Sequence, residues 1–70
     1  VTRISLYWPD TSTTLYFERW DSAMRRLPQI LAGNHFREKS RVIENGHHRY
    51  EGDAWFGPLE VVVKKIGGGE

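Results

Sequence analysis

Between Arg3 and Trp8 the apolar side chains Ile4, Leu6 and Trp8 alternate with Arg3, Ser5 and Tyr7, the period-2 signature of a half-buried strand. Pro9-Asp10-Thr11-Ser12-Thr13 follows. Pro presets φ, and Asp and Ser side chains bond nearby backbone N–H groups, so this stretch reads as a loop of about five residues. β-Branched and aromatic residues resume from Thr14 to Trp20. The two segments read as a hairpin with Leu15 and Phe17 inward and Tyr16 and Trp20 outward.

At Asp21 the period changes. Ala23, Met24, Leu27, Ile30 and Leu31 fall on one face of a helix, with Asp21 as the expected N-cap and Gly33-Asn34 as the stop. Pro28 lies inside this run and cannot donate to the carbonyl of Met24, which predicts a kink or two short helices meeting there. Arg25, Arg26, Pro28 and Gln29 fall on the exposed side.

Asn45-Gly46 is the strongest hairpin signal, since both central residues of a type I′ turn need positive φ. A two-residue turn joining Ser40–Glu44 to His47–Glu51 pairs Glu44 with His47, Ile43 with His48, Val42 with Arg49 and Arg41 with Tyr50, and sets Ser40 opposite Glu51. Ile43 and Tyr50 then share a face, assigned to the core. Gly52-Asp53 reads as a bend or bulge before Ala54-Trp55-Phe56, and Gly57-Pro58 as a second turn. Leu59 to Ile66 is apolar on both sides around Val61, Val62 and Val63, the mark of a central strand or of an outer face covered by a partner.

The order β-β-α-β-β with short connections predicts an α+β domain, a small antiparallel sheet of four to five strands with one helix packed on a face. Its expected core is Ile4, Leu6, Leu15, Phe17, Met24, Leu27, Ile30, Leu31, Ile43, Tyr50, Val61 and Val63. Residues 1–66 form one domain, and 67–70 a flexible Gly-rich tail. Strand order and the sheet face covered by the helix stay open at this level.

Composition narrows the chemistry. A chain of 70 residues and 8.2 kDa builds one small core, which disfavours a deep enclosed active site. The absence of cysteine removes disulfides, thiolate metal sites and thiol nucleophiles, and fits a reducing, cytoplasmic setting. No stretch approaches the roughly 20 apolar residues of a membrane span, and Val1-Thr2-Arg3 does not begin a signal peptide. His35, His47 and His48 match no metal-site spacing, and adjacent strand residues point to opposite faces. Phosphate-loop, dinucleotide, nucleophile-elbow and zinc-protease motifs are all missing. Glu44 opposite His47 reads as a cross-strand surface pair. The expectation is a non-enzymatic protein with no cofactor, no metal and no small-molecule substrate.

Three Trp, three Tyr and three Phe exceed what so small a core absorbs. Trp55 and Phe56, adjacent in an extended segment, cannot both be buried by one layer, and Trp, Tyr and Arg dominate binding hot spots. Net charge is only +1, but Arg37, Lys39, Arg41 and Arg49 cluster along one hairpin. Two interfaces follow. In one, the chain binds protein, a second copy of itself as a homodimer or another partner, through Arg41, Arg49, Tyr50, Trp55 and Phe56, with Arg25 and Arg26 as a second patch. In the other, a sheet presenting Tyr7, Tyr16 and Tyr50 beside Arg19, Arg41, Arg49 and Lys64 stacks single-stranded DNA or RNA. The near-neutral charge, the interleaved acids and the missing RNA-recognition signature favour the first.

In size, lack of cysteine, aromatic richness and strand–strand–helix–strand–strand succession the chain is similar to small accessory proteins of phages and mobile elements, some of which bind and inhibit host nucleic-acid machinery. The resemblance rests on layout across the whole chain and on no motif. It implies an inhibitor-type variant of the protein-binding reading.

Overall fold

The computed structural model describes residues 1–66; the tail expected at 67–70 lies outside the described residues. Strands β1 (Thr2–Trp8) and β2 (Thr11–Phe17) precede one helix, α1 (Trp20–Gly33), and β3 (Arg37–Glu44), β4 (His47–Ala54) and β5 (Gly57–Lys65) follow it. All pairings are antiparallel, in the order β2-β1-β5-β4-β3. The chain is therefore an α+β domain, and β5 is the central strand; the two-sided apolarity expected of it is confined to Val62, since Glu60 and Lys64 share that second face.

The Asn45-Gly46 hairpin has the predicted register, from Glu44 opposite His47 to Ser40 opposite Glu51, but of the two turn residues only Gly46, at φ +73°, has positive φ, so the turn is not the expected type I′. The first hairpin is tighter than the loop chemistry suggested. Only Pro9 and Asp10 turn, and pairing begins at Trp8 with Thr11, because β-branched Thr11 and Thr13 extend the ladder instead of leaving it. The third hairpin differs more. Trp55-Phe56 is the turn, and Gly57-Pro58 is paired with Ala54 and Asp53 inside β5. Gly57 at φ +123° takes the backbone strain a side chain would resist. Pro58 lies beyond the last β1 partner of β5, Tyr7 with Glu60, so its missing N–H falls where β5 has β4 as its one ladder neighbour.

Helix α1 begins one residue before Asp21, with Arg19 as a cap that makes no side-chain bond; Asp21 sits in the first turn, where its charge suits the helix dipole. The helix runs as one element through Pro28, so the alternative of two short helices meeting there does not hold. It ends at Gly33 with Asn34 as its cap, where the stop was expected, and the left-handed residue follows one position later. His35, at φ +53°, takes the left-handed position, and its N–H donates to Ala32 O at 3.1 Å while the Phe36 N–H donates to Leu31 O at 3.0 Å. This is a Schellman cap with histidine in the position glycine usually holds.

One face of the sheet meets the helix. Ile4, Leu6, Ala23, Leu27, Tyr50, Leu59, Val61 and Val63 are buried there, with Trp8, Phe17, Trp20, Met24, Ile30, Leu31 and Phe36 packed around them; Trp20, expected to face outward from the second strand, is the first helical residue instead. Leu15 and Ile43, both expected in the core, stay 37% and 49% exposed. Five strands at about 4.8 Å spacing span some 19 Å between the outer two, whereas a helix is about 10 Å wide, so a helix packed over β1 and β2 leaves the β3 flank with Ile43 uncovered, and Leu15 on the outer strand β2 is covered only in part. Among the described residues no layer covers the opposite face. Ser5, central on that open face, is nevertheless buried, sunk between the larger Arg3, Tyr7 and Val62.

Gly52 places β4 against β3. A Cβ there would lie 1.9 Å from Arg37 O and 2.8 Å from Arg37 C. The irregularity expected near Gly52 falls on its partner strand, between Glu38 and Ser40.

Candidate interface

Ladder partners share a face, so the register assigns every candidate residue to a side. Arg41, Ile43, His48 and Tyr50 lie on the helix side. Arg49, Val42, Val62, Tyr7, Tyr16 and Lys64 lie on the open face. Arg41 and Arg49, expected to act together, are thus separated by the thickness of the sheet. The array of tyrosines divides the same way, with Tyr7 and Tyr16 on the open face and Tyr50 on the other.

Arg41 is engaged by its own chain. Its Nε and Nη2 donate to Glu38 Oε2 at 2.6 Å and Oε1 at 2.8 Å, a bidentate contact, and its guanidinium lies 5.6 Å from the centre of the Tyr50 ring. That hydrogen bond and charge hold the Glu38 carboxyl below its usual pKa. Tyr50 is buried rather than presented: its hydroxyl meets His48 Nδ1 at 3.1 Å, and burial raises its pKa. His48 in turn stands edge-on to Trp20, with ring centroids 5.0 Å apart.

Arg49 is engaged twice. Glu51 and Glu60 face each other across β4 and β5, an arrangement that repels. Arg49 bridges them, Nη2 to Glu51 Oε2 at 2.5 Å and Nε to Glu60 Oε2 at 2.6 Å. Lys39 pairs with Asp53 at 2.9 Å. Three of the four clustered cations therefore already have carboxylate partners. Arg25 and Arg26 stand exposed on the helix, and no ion pair involves them among the described residues.

Trp55 and Phe56 are different. They occupy the β4–β5 turn, 64% and 82% exposed. Turn positions favour Gly, Pro, Asn, Asp and Ser, and nothing in turn geometry calls for two large aromatic rings. The turn is also held in place. The Trp55 N–H donates to Asn34 O at 2.8 Å, the Trp55 ring stacks on His35 at 4.4 Å and 29°, and Phe56 meets it edge-on at 6.3 Å. The helix cap and the hairpin tip thus form one unit, with Asn34 and His35 as its support. Phe56 also borders an open cleft of about 470 Å³ lined by Trp8, Asp10, Thr11 and Asn34.

Sequence reasoning missed four of these supports: Asn34, His35, Glu38 and Glu60. The opposition of Glu51 and Glu60 becomes readable only once the β4–β5 turn is placed at Trp55-Phe56. His35 carried no periodic signal. His47 is on the open face, 3.6 Å from Glu44, and His48 on the other; among the described residues no three metal-ligating side chains gather. No helix of the described residues is long and apolar enough to cross a membrane. No family model, curated protein or solved structure matches the chain.

Proposed function

We propose that the chain is a non-enzymatic protein-binding module of the cytoplasm, whose contact surface centres on the Trp55-Phe56 turn and which counts a second copy of itself, as a homodimer, among its partners. The observation that carries this reading is the exposure of two adjacent aromatic rings at turn positions, fixed by a backbone hydrogen bond to Asn34 and a stack on His35. Rigid exposed aromatics bind well because little conformational entropy remains to be lost, and they are the usual centre of interface hot spots. An inhibitor-type role, as the resemblance to phage and mobile-element accessory proteins implies, uses the same surface. Arg25 and Arg26 on the free side of the helix supply a second, polar contact.

The competing reading, a sheet that stacks single-stranded nucleic acid, draws on Tyr7, Tyr16 and Lys64 on the open face. Against it, the guanidinium of Arg49 on that face is taken by Glu51 and Glu60, and Arg41 and Tyr50 belong to the other side.

The variant Trp55→Ala with Phe56→Ala tests the proposal. Its unfolding is expected to stay cooperative, with Tm lowered by at most about 20 °C for the roughly 3 kcal/mol that the buried parts of the two rings are worth, while it loses proteins that the native chain retains. A collapse of the melt makes the pair part of the core and removes the proposed surface. Fluorescence anisotropy of labelled DNA and RNA at about 50 and 200 mM salt tests the competitor, for which binding with a steep salt slope is the signature.

A further inference from the structure

Every residue of β3 is exposed. The helix packs over β1 and β2 and does not reach this edge, so Val42 on the open face and Ile43 on the helix side stand 51% and 49% exposed. A strand added to that edge pairs its open backbone groups and sets side chains beside Val42 and Ile43 on both faces at once.

The geometry points to β3 of a second copy as that strand, paired antiparallel about a two-fold axis through Val42, so that two sheets become one. The inference rests on the self-association proposed above and places it on the β3 edge, which leaves the Trp55-Phe56 turn free for other partners. A two-fold axis normal to the sheet keeps both open faces on the same side. Each residue must then oppose one of its own face, and the axis must pass through a residue rather than between two.

The regular part of the edge runs from Ser40 to Glu44, bounded by the irregularity after Glu38 and by the Asn45-Gly46 turn. Its midpoint is Val42. An axis there sets Val42 against its own copy, Arg41 against Ile43 and Ser40 against Glu44. No like charges oppose, a hydroxyl faces a carboxylate, and the guanidinium that meets Ile43 is already neutralised by Glu38. An axis through Arg41 sets two arginines face to face. One through Ile43 carries Arg41 opposite Asn45, into the turn. Charge and the limits of the regular strand therefore select one register.

The chain has no cysteine, so a single introduced thiol has only the copy's thiol to meet. Directly opposed residues have Cα atoms about 4.5–5.5 Å apart, within disulfide range. In this register Val42→Cys is expected to form a disulfide dimer rapidly under mild oxidation. Glu44→Cys, whose copy is displaced by four residues or roughly 13 Å along the strand, is expected to cross-link at least tenfold more slowly. Sedimentation of the native chain is expected to give about twice the mass of one 8.2 kDa chain, and Val42→Lys, which sets two ammonium groups on the axis, a folded monomer by circular dichroism. A native chain that stays monomeric to about 1 mM overturns both this pairing and the self-association it rests on. A native dimer in which Glu44→Cys cross-links as fast as Val42→Cys, or which Val42→Lys leaves intact, overturns the edge pairing alone.

Discussion

Replacing Arg49 by Gln removes the one group that separates Glu51 from Glu60. Two partly exposed ion pairs are lost, each worth about 0.2–1 kcal/mol, and two carboxylates that face each other in the ladder are left bare, at a further cost of about 0.2–1 kcal/mol. The expected loss is about 1–2 kcal/mol, which for a domain of this size lowers Tm by roughly 5–15 °C. Thermal unfolding followed by tryptophan fluorescence at low salt reads it. Raising the salt from about 10 mM to several hundred millimolar shortens the screening length from about 30 Å to a few Å. The gap to the native chain should then narrow, because the repulsive part is screened. A second substitution, Glu60→Gln, should recover part of the loss by removing the opposed charge. If Arg49→Gln melts with the native chain at low salt, Arg49 is not a clamp but a free cation, and the nucleic-acid reading regains its strongest contact.

Gly52→Ala drives a Cβ into the Arg37 carbonyl; since backbone must move, a loss of about 3 kcal/mol or more is expected in chemical denaturation, and a stable variant would mean that β3 detaches freely. Phe56→Ala, at 82% exposure, removes about a fifth of a roughly 200 Å² side chain from burial, at most about 1 kcal/mol, and a larger loss would make Phe56 structural. His35→Gly exchanges a left-handed histidine for the residue that suits that backbone, relieving about 1 kcal/mol of strain but losing the stack on Trp55. Its stability should change little while hydrogen exchange at the Trp55 N–H quickens, and unchanged exchange would separate cap from tip. Burial raises the Tyr50 pKa, so the neutral hydroxyl is favoured in the folded state. Stability is full below the unfolded value and falls as pH rises from it through the folded value. Alkaline titration should weaken the native chain more than Tyr50→Phe, and equal alkaline loss would remove Tyr50 as the cause.

The β3–β4 hairpin was legible because a two-residue Asn-Gly turn permits one register, and β5 because Val61-Val62-Val63 is the longest β-branched aliphatic run in the chain, although only Val61 and Val63 face the helix and Val62 lies on the open face. Leu15 and Ile43 were misread because periodicity tells which face a residue occupies and not whether anything covers that face. The third turn was misread because Gly57-Pro58 is the stronger turn dipeptide, whereas the chain uses Gly57 only for its positive φ and spends the tip on Trp55 and Phe56. The candidate interface was legible in part. Two surplus aromatics can be counted in a sequence, but the pairing of Arg49 with Glu51 and Glu60 depends on which strands are neighbours.

The central claim, a protein-binding turn, is tested most directly by replacing Phe56 with a photo-activatable benzoyl-phenylalanine and irradiating the protein in extract of its source cell, with the same group at Thr14 on the open face as the control. The account predicts a discrete protein adduct from position 56 that is absent from position 14 and is suppressed by Trp55→Ala. Adducts to nucleic acid, or equal labelling from both positions, would contradict it.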